Sequence, residues 1–139
     1  MSLQNKIDIA PLSMNRAYQG RKVKTKWYRK YQKDLDLLLP PKSKIEIPNS
    51  GQLMLIMEIG VSRRFDWDNS IKPFQDILQA RYEFDDARVH MGICRKRIVK
   101  RGHEYISWEI KPFTNETITI DPHEDKTVDE TAGIRVHVG

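Results

Sequence analysis

The sequence predicts an α+β fold, a small mixed β-sheet with two main helices packed on it. Three observations carry this expectation. Leu53 to Val61 form a near-continuous apolar run, as a central strand covered by a helix does. Two stretches, about Val23 to Leu39 and Asn69 to Tyr82, repeat apolar residues at helical spacing. From Ala87 to Pro112 the pattern reads as two strands around a turn at Arg101–Gly102.

The elements follow in chain order. "KIDIAP" alternates and stops at Pro11, a short first strand. "PLSMNRAYQGRK" reads as a polar loop with turn residues at Ser13, Asn15 and Gly20. In the first helix Trp27, Tyr31, Leu35 and Leu38 are spaced for one buried stripe, and Pro40–Pro41 ends it. Lys22, Lys26, Arg29 and Lys33 recur on another face; such a stripe suits a phosphate backbone, and equally an ordinary solvated face. "PKSKIEIPNSGQ" is turn-rich, with a short edge strand expected at Ile45 to Ile47. In the central strand Leu53, Leu55, Met57, Ile59 and Val61 share a face, while Met54 and Ile56 add apolar character to the other. The second helix turns Ile71, Phe74, Leu78 and Tyr82 inward. An N-cap at Asp68 or Asn69 places Pro73 near its start, where proline is tolerated.

At 139 residues the chain has the length of one domain with one core. Its 39% hydrophobic and 31% charged residues fit a soluble globular protein. No apolar run reaches the ~18 residues needed to span a bilayer, so no membrane partner is expected. "MSLQNKIDIAPLS" has no long apolar core of a secretory leader. The single Cys94 excludes an internal disulfide framework and points to a reducing, cytoplasmic location.

Charge divides the chain in two. Residues 112–139 carry six acids (Glu116, Asp121, Glu124, Asp125, Asp129 and Glu130) against Lys126 and Arg135, a net of −4. The overall charge is +5, so residues 1–111 carry +9. A basic body suits a polyanionic partner, although a basic surface can also serve solubility alone. We therefore read residues 1–112 as the domain and 113–139 as an acidic tail. Its β-branched patches at "TITI" and "IRVHV" leave open whether it is disordered or adds a late strand.

The chemistry concentrates at "RRFDWDNSIKPFQDIL" and "YEFDDARV". Asp66 sits where the central strand ends and Asp68 at the mouth of the second helix. Asp85 and Asp86 stand where the next strand begins, and a helix running back along the sheet is expected to bring the two acidic clusters together. Clustered carboxylates repel unless one takes up a proton or a cation joins them. All the donors are oxygens, which favours a hard ion such as Mg²⁺ over zinc. His90, His103, His123 and His137 show no ligand spacing. Taken singly, Asp68 as a cap, "DD" as a turn and Asp68–Lys72 as an i,i+4 pair are all ordinary; an i,i+4 ion pair contributes only ~0.2–0.5 kcal/mol.

"D-W-D-N-S-I-K-P-F-Q-D-I-L" followed by "D-D-A-R-V" resembles the core pattern of the RusA family of Holliday junction resolvases, D-x-D-N-x-x-K-x-x-x-D-x-L and then a DD pair. "P-L-S-M-N-R-A-Y" is similar to that family's P-P-S-x-N-x-x-Y segment. The resemblance covers roughly residues 5 to 111. It departs at Leu12, which stands for the second proline, at Pro73, and in the acidic tail.

The resemblance implies a homodimer of small α+β subunits that nicks four-way DNA junctions in pairs, in recombination and repair, with Mg²⁺ or Mn²⁺. A phage or prophage source is compatible with it. Asp66, Asp68 and Asp86 match the family's metal-binding aspartates and Lys72 its catalytic lysine. Asp76, Asp85, Asn69 and Asn15 are supporting positions. The expected DNA contacts are Arg63, Arg64, Arg95, Lys96 and Arg97, with Lys100–Arg101 and the helical Lys26, Arg29 and Lys33. The alternatives are a nuclease for flaps, forks and other branched DNA, and a non-catalytic DNA-binding module.

Overall fold

A computed structural model describes residues 3–20, 23–114, 118–120 and 136–138. A four-stranded mixed sheet in the order β1-β6-β4-β5 forms one layer. Its strands are β1 (Asn5–Ile7), β4 (Leu53–Val61), β5 (Val89–Ile98) and β6 (Tyr105–Pro112). The helices α1 (Met14–Ala17), α2 (Lys26–Leu38) and α3 (Ile71–Tyr82) complete the domain. β2 (Tyr18–Gln19) and β3 (Val23–Lys24) make a minimal antiparallel pair, as do β7 (Ile118–Ile120) and β8 (Val136–Val138). The tail's apolar patches thus pair with each other, and its six acids lie outside the described residues.

β4 is the central strand, with the bounds its apolar run marks. It pairs antiparallel with β6 and parallel with β5, so the two strands after α3 flank β4 on opposite sides. The parallel pairing has a direct consequence. β4, α3 and β5 form a strand–helix–strand crossover, and α3 carries the chain from one end of the sheet to the other.

One face of β4 (Leu53, Leu55, Met57, Ile59 and Val61) packs with Tyr28, Tyr31 and Leu35 of α2 and Phe74, Ile77, Leu78 and Tyr82 of α3. Trp108 of β6 is fully buried among them, its ring 6.1 Å from Phe74 and 5.6 Å from Tyr82. Aromatic burial on this scale contributes several kcal/mol at ~25 cal/mol per Å². At the C-terminal ends of α2 and α3, Tyr82 donates to the Pro40 carbonyl at 2.7 Å and Arg81 to that of Leu39 at 3.0 Å.

Several local expectations are corrected. The loop after Pro11 contains α1, capped by the Ser13 hydroxyl, which accepts from the Arg16 N–H. α2 starts only at Lys26, where Thr25 caps it by accepting from the Tyr28 N–H. Its buried stripe is Tyr28, Tyr31, Leu35 and then Leu39, while Trp27 and Leu38 are half exposed. No strand forms at Ile45 to Ile47; a 3-10 turn, Lys42–Lys44, precedes them and both isoleucines pack singly against the core. Neither Asp68 nor Asn69 caps α3. They lie inside a 3-10 turn, Trp67–Ser70, with Asp66 at its N-cap and Ser70 at that of α3. Pro73 falls in the first turn of α3, where its missing N–H costs nothing.

Candidate functional site

The end of β4 delivers the first acidic pair. Ser62 donates to Glu104 at 2.8 Å, Arg63 and Arg64 point into solvent, and Phe65 returns to the core. The turn that follows is held from behind. Lys96 of β5 donates to the Phe65 carbonyl at 3.0 Å, and the buried Ser70 hydroxyl to that of Trp67 at 2.7 Å. Cys94 lies against the same Trp67 carbonyl; burial raises its thiol pKa, which keeps it in the unreactive form. Asp66 and Asp68 are exposed on this braced turn.

Beside the turn opens a cleft of about 900 Å³. Pro11, Leu12, Ser13 and Asn15 wall one side, Arg63, Arg64, Asp66 and Asn69 another, and Arg101 and Glu104 close the end. The segments "P-L-S-M-N" and "D-W-D-N", with 50 residues between Asn15 and Asp66, therefore meet across one space. Arg16, Arg63, Arg64 and Arg101 outnumber the two carboxylates, Asp66 and Glu104, so the cleft is electropositive with one carboxylate at its turn. The Ser62 hydrogen bond is the main cause that holds the Glu104 carboxyl below its ordinary range.

Lys72 does not pair with Asp68. Its ammonium reaches both carboxylate oxygens of Asp76, at 3.1 and 3.2 Å, and Tyr18 donates its hydroxyl to the same Asp76 in a short hydrogen bond. Burial, then the Asp76 carboxylate, push the Tyr18 hydroxyl pKa well above its usual range. The same two causes push Tyr28 up to about 12.

The second acidic pair lies elsewhere. Asp85 caps a 3-10 turn, Asp86–Arg88, by accepting from the Ala87 N–H at 2.9 Å. Arg88 ties this turn to the Gly51 and Pro48 carbonyls, at the start of β4. Asp86 is thus at the opposite end of α3 from Asp66 and Asp68, separated by twelve helical residues, or about 18 Å of rise. The expected meeting of the acidic clusters does not occur within one subunit. Among the described residues no three His, Cys, Asp or Glu side chains are close enough to hold a metal ion.

The expected DNA contacts divide into free and engaged groups. Arg97 is exposed, as are Lys26, Arg29 and Lys33 along α2. Arg29 donates to the Lys24 carbonyl, just before its own helix, at 3.0 Å, and Lys22 lies outside the described residues. Arg95 forms a forked ion pair with Glu58, which also accepts from the Tyr105 hydroxyl at 2.6 Å. Burial alone would raise the Glu58 carboxyl, but these two partners prevail and hold it below the ordinary range. Arg16 and Glu104 of the cleft, and the link from Tyr18 to Asp76, escaped sequence reasoning. Tyr18 ends the "P-L-S-M-N-R-A-Y" segment, and that was the one available signal. No protein-family model matches the chain, and no curated protein matches it.

Proposed function

We propose that the chain is a RusA-like endodeoxyribonuclease that acts as a homodimer on branched DNA, with four-way junctions as its target. One observation carries the reading: the P-L-S-M-N and D-W-D-N segments, two of the three that resemble the family, line a single arginine-rich cleft at the end of β4, with Asp66 at its edge. Arg16, Arg63, Arg64 and Arg101 are suited to hold phosphates, and arginine grips them bidentately. Arg97 and the exposed cations of α2 extend the contact to the duplex arms.

A single subunit does not fit a three-carboxylate cation site, so no step is assigned to an ion within it. The dimer offers a remedy. β5 is an edge strand, Asp86 stands just before its start, and Lys96 near its end holds the turn that bears Asp66 and Asp68. Antiparallel pairing of two β5 edges sets the start of each strand beside the end of the other. Asp86 of one subunit then approaches Asp66 and Asp68 of its partner, twice per dimer, as a two-fold junction requires. In that register the Arg95–Arg97 run faces the start of the partner strand and not the partner's own Arg95–Arg97 run, so these like charges do not oppose each other. Mg²⁺ or Mn²⁺ held there would neutralise the scissile phosphate and activate water.

The absence of a three-carboxylate group among the described residues is also what a non-catalytic DNA-binding module would have. One experiment separates the readings. A synthetic four-way junction is incubated with the protein and Mg²⁺ beside a flap, a fork, linear duplex and single strand. Paired symmetric nicks on the junction are expected. Equal cutting of every branched substrate would move the reading to a general branched-DNA nuclease, and tight binding without cutting to the module.

A further inference from the structure

We infer that Tyr18 and Asp76 form a positioning pair that aims Lys72; the inference rests on the nuclease reading above. An i,i+4 lysine–aspartate pair on an exposed helix face is worth ~0.2–0.5 kcal/mol and leaves a long side chain loosely held. Here the carboxylate is not free to follow the lysine. Asp76 is only 22% exposed at its side chain, against 52% for Lys72, and Tyr18 donates to it from a different part of the chain. The Tyr18 ring is in turn fixed against Tyr28, at 5.5 Å between centroids, and Tyr28 is buried in the core. The sequence core → Tyr28 → Tyr18 → Asp76 → Lys72 therefore passes rigidity outward to one ammonium group.

The placement fits a purpose beyond folding. Ser13, Asn15 and Arg16, which lead into Tyr18, wall the cleft, and Lys72 stands one helical turn beyond Asp68. The N-terminal segment thus walls the arginine-rich cleft and, through Tyr18 and Asp76, fixes Lys72, which stands outside the cleft lining. Catalysis by positioned groups is steep in distance, and about 1 Å of misplacement can cost 10²-fold. Tyr18→Phe removes only the hydroxyl, keeps the ring on Tyr28 and leaves Lys72 paired to a carboxylate that is no longer fixed.

The test uses the full chain in three forms: parent, Tyr18→Phe and Asp76→Asn. Single-turnover cleavage of a four-way junction, junction affinity, and the NMR signal of the Lys72 ε-CH₂ group are measured on each. That signal is assigned by its loss in Lys72→Ala. We expect Tyr18→Phe to cut about tenfold or more slowly with unchanged affinity and unfolding midpoint, and to shift the Lys72 signal. Asp76→Asn should do the same more strongly. Cleavage at the parental rate, a fall in rate matched by a fall in affinity, or an unmoved Lys72 signal would overturn the inference. A parent that cuts no DNA overturns the nuclease reading itself, which is a different failure.

Discussion

Asp68 and Asp86 stand at opposite ends of the same helix. Asp68 lies in the turn that leads into α3 and Asp86 in the turn that follows it, with Ile71 to Tyr82 between them. The cause is the parallel pairing of β4 with β5, which obliges the connecting helix to traverse the sheet. Any site that uses both residues must draw them from two subunits.

That geometry makes a complementation test decisive. Asp68→Asn and Asp86→Asn proteins are each expected to bind junctions and fail to cut. Mixed and allowed to exchange subunits, about half of the dimers become heterodimers by statistics, each with one doubly altered and one intact composite site. Nicking of one strand, without the paired second nick, should therefore return in the mixture. If the site lay within a subunit, every site in the mixture would carry a substitution and the mixture would stay inert.

Much of this was legible in the residues. The run Leu53–Val61 marks the central strand to the residue, because its composition suits burial and little else. The helices follow from their periodicity, and proline ends the first. Three things were not legible, each for a tertiary reason. Trp27 and Tyr28 are adjacent aromatics, either of which fits a helical stripe with Tyr31 and Leu35, and packing within the core selects Tyr28. Ile45 and Ile47 alternate like a strand but have no neighbouring strand to pair with. The direction of β5 is not written in its own sequence, so two acidic pairs that flank a helix read as neighbours although the helix separates them.

Gly60 permits the ring of Tyr105 to lie across the sheet. A methyl group at position 60 would run into Cε1 and Cδ1 of that ring. Gly60→Ala should cost about 1–3 kcal/mol by overpacking, read as a lowered denaturant midpoint with unchanged slope. Combining it with Tyr105→Ala removes the clash, so the two losses should be less than additive. Strict additivity would show that the ring and Gly60 are not coupled.

Alkaline stability should fall as Tyr28 ionises. The Tyr28 hydroxyl is raised from 10.0 to about 12 on folding, by burial first and the Asp76 carboxylate second. A raised folded value means that its contribution is complete below pH 10.0 and is lost as pH climbs through about 12. Unfolding free energy should therefore decline over that window, and the Tyr28 step of a spectrophotometric titration should lie above the ordinary tyrosine value. Asp76→Asn removes the anion beside the ring, so it should shift the Tyr28 step toward lower pH. A single tyrosine transition near the ordinary value would contradict the burial of this group.

Arg95 and Arg97 are one strand position apart in face but differ in role. Arg97 is exposed and free of any ion pair among the described residues, whereas Arg95 is committed to Glu58. Arg97→Ala should weaken junction binding and reduce the slope of log affinity against log salt by up to ~0.9, the loss of one phosphate contact. Arg95→Ala should leave that slope nearly unchanged and lower folding stability instead, because Glu58 is left largely buried with the Tyr105 hydroxyl and the weaker field of Arg97. The deficit has a pH signature. Glu58 is held below its ordinary value of 4.5 in the folded chain, so the pair stabilises above that pH and its contribution is lost as pH falls through the folded value. Parent and Arg95→Ala unfolding curves should differ at neutral pH and converge in acid. If Arg95→Ala flattens the salt slope as much as Arg97→Ala, the guanidinium leaves Glu58 for phosphate on binding, and the division of roles is wrong.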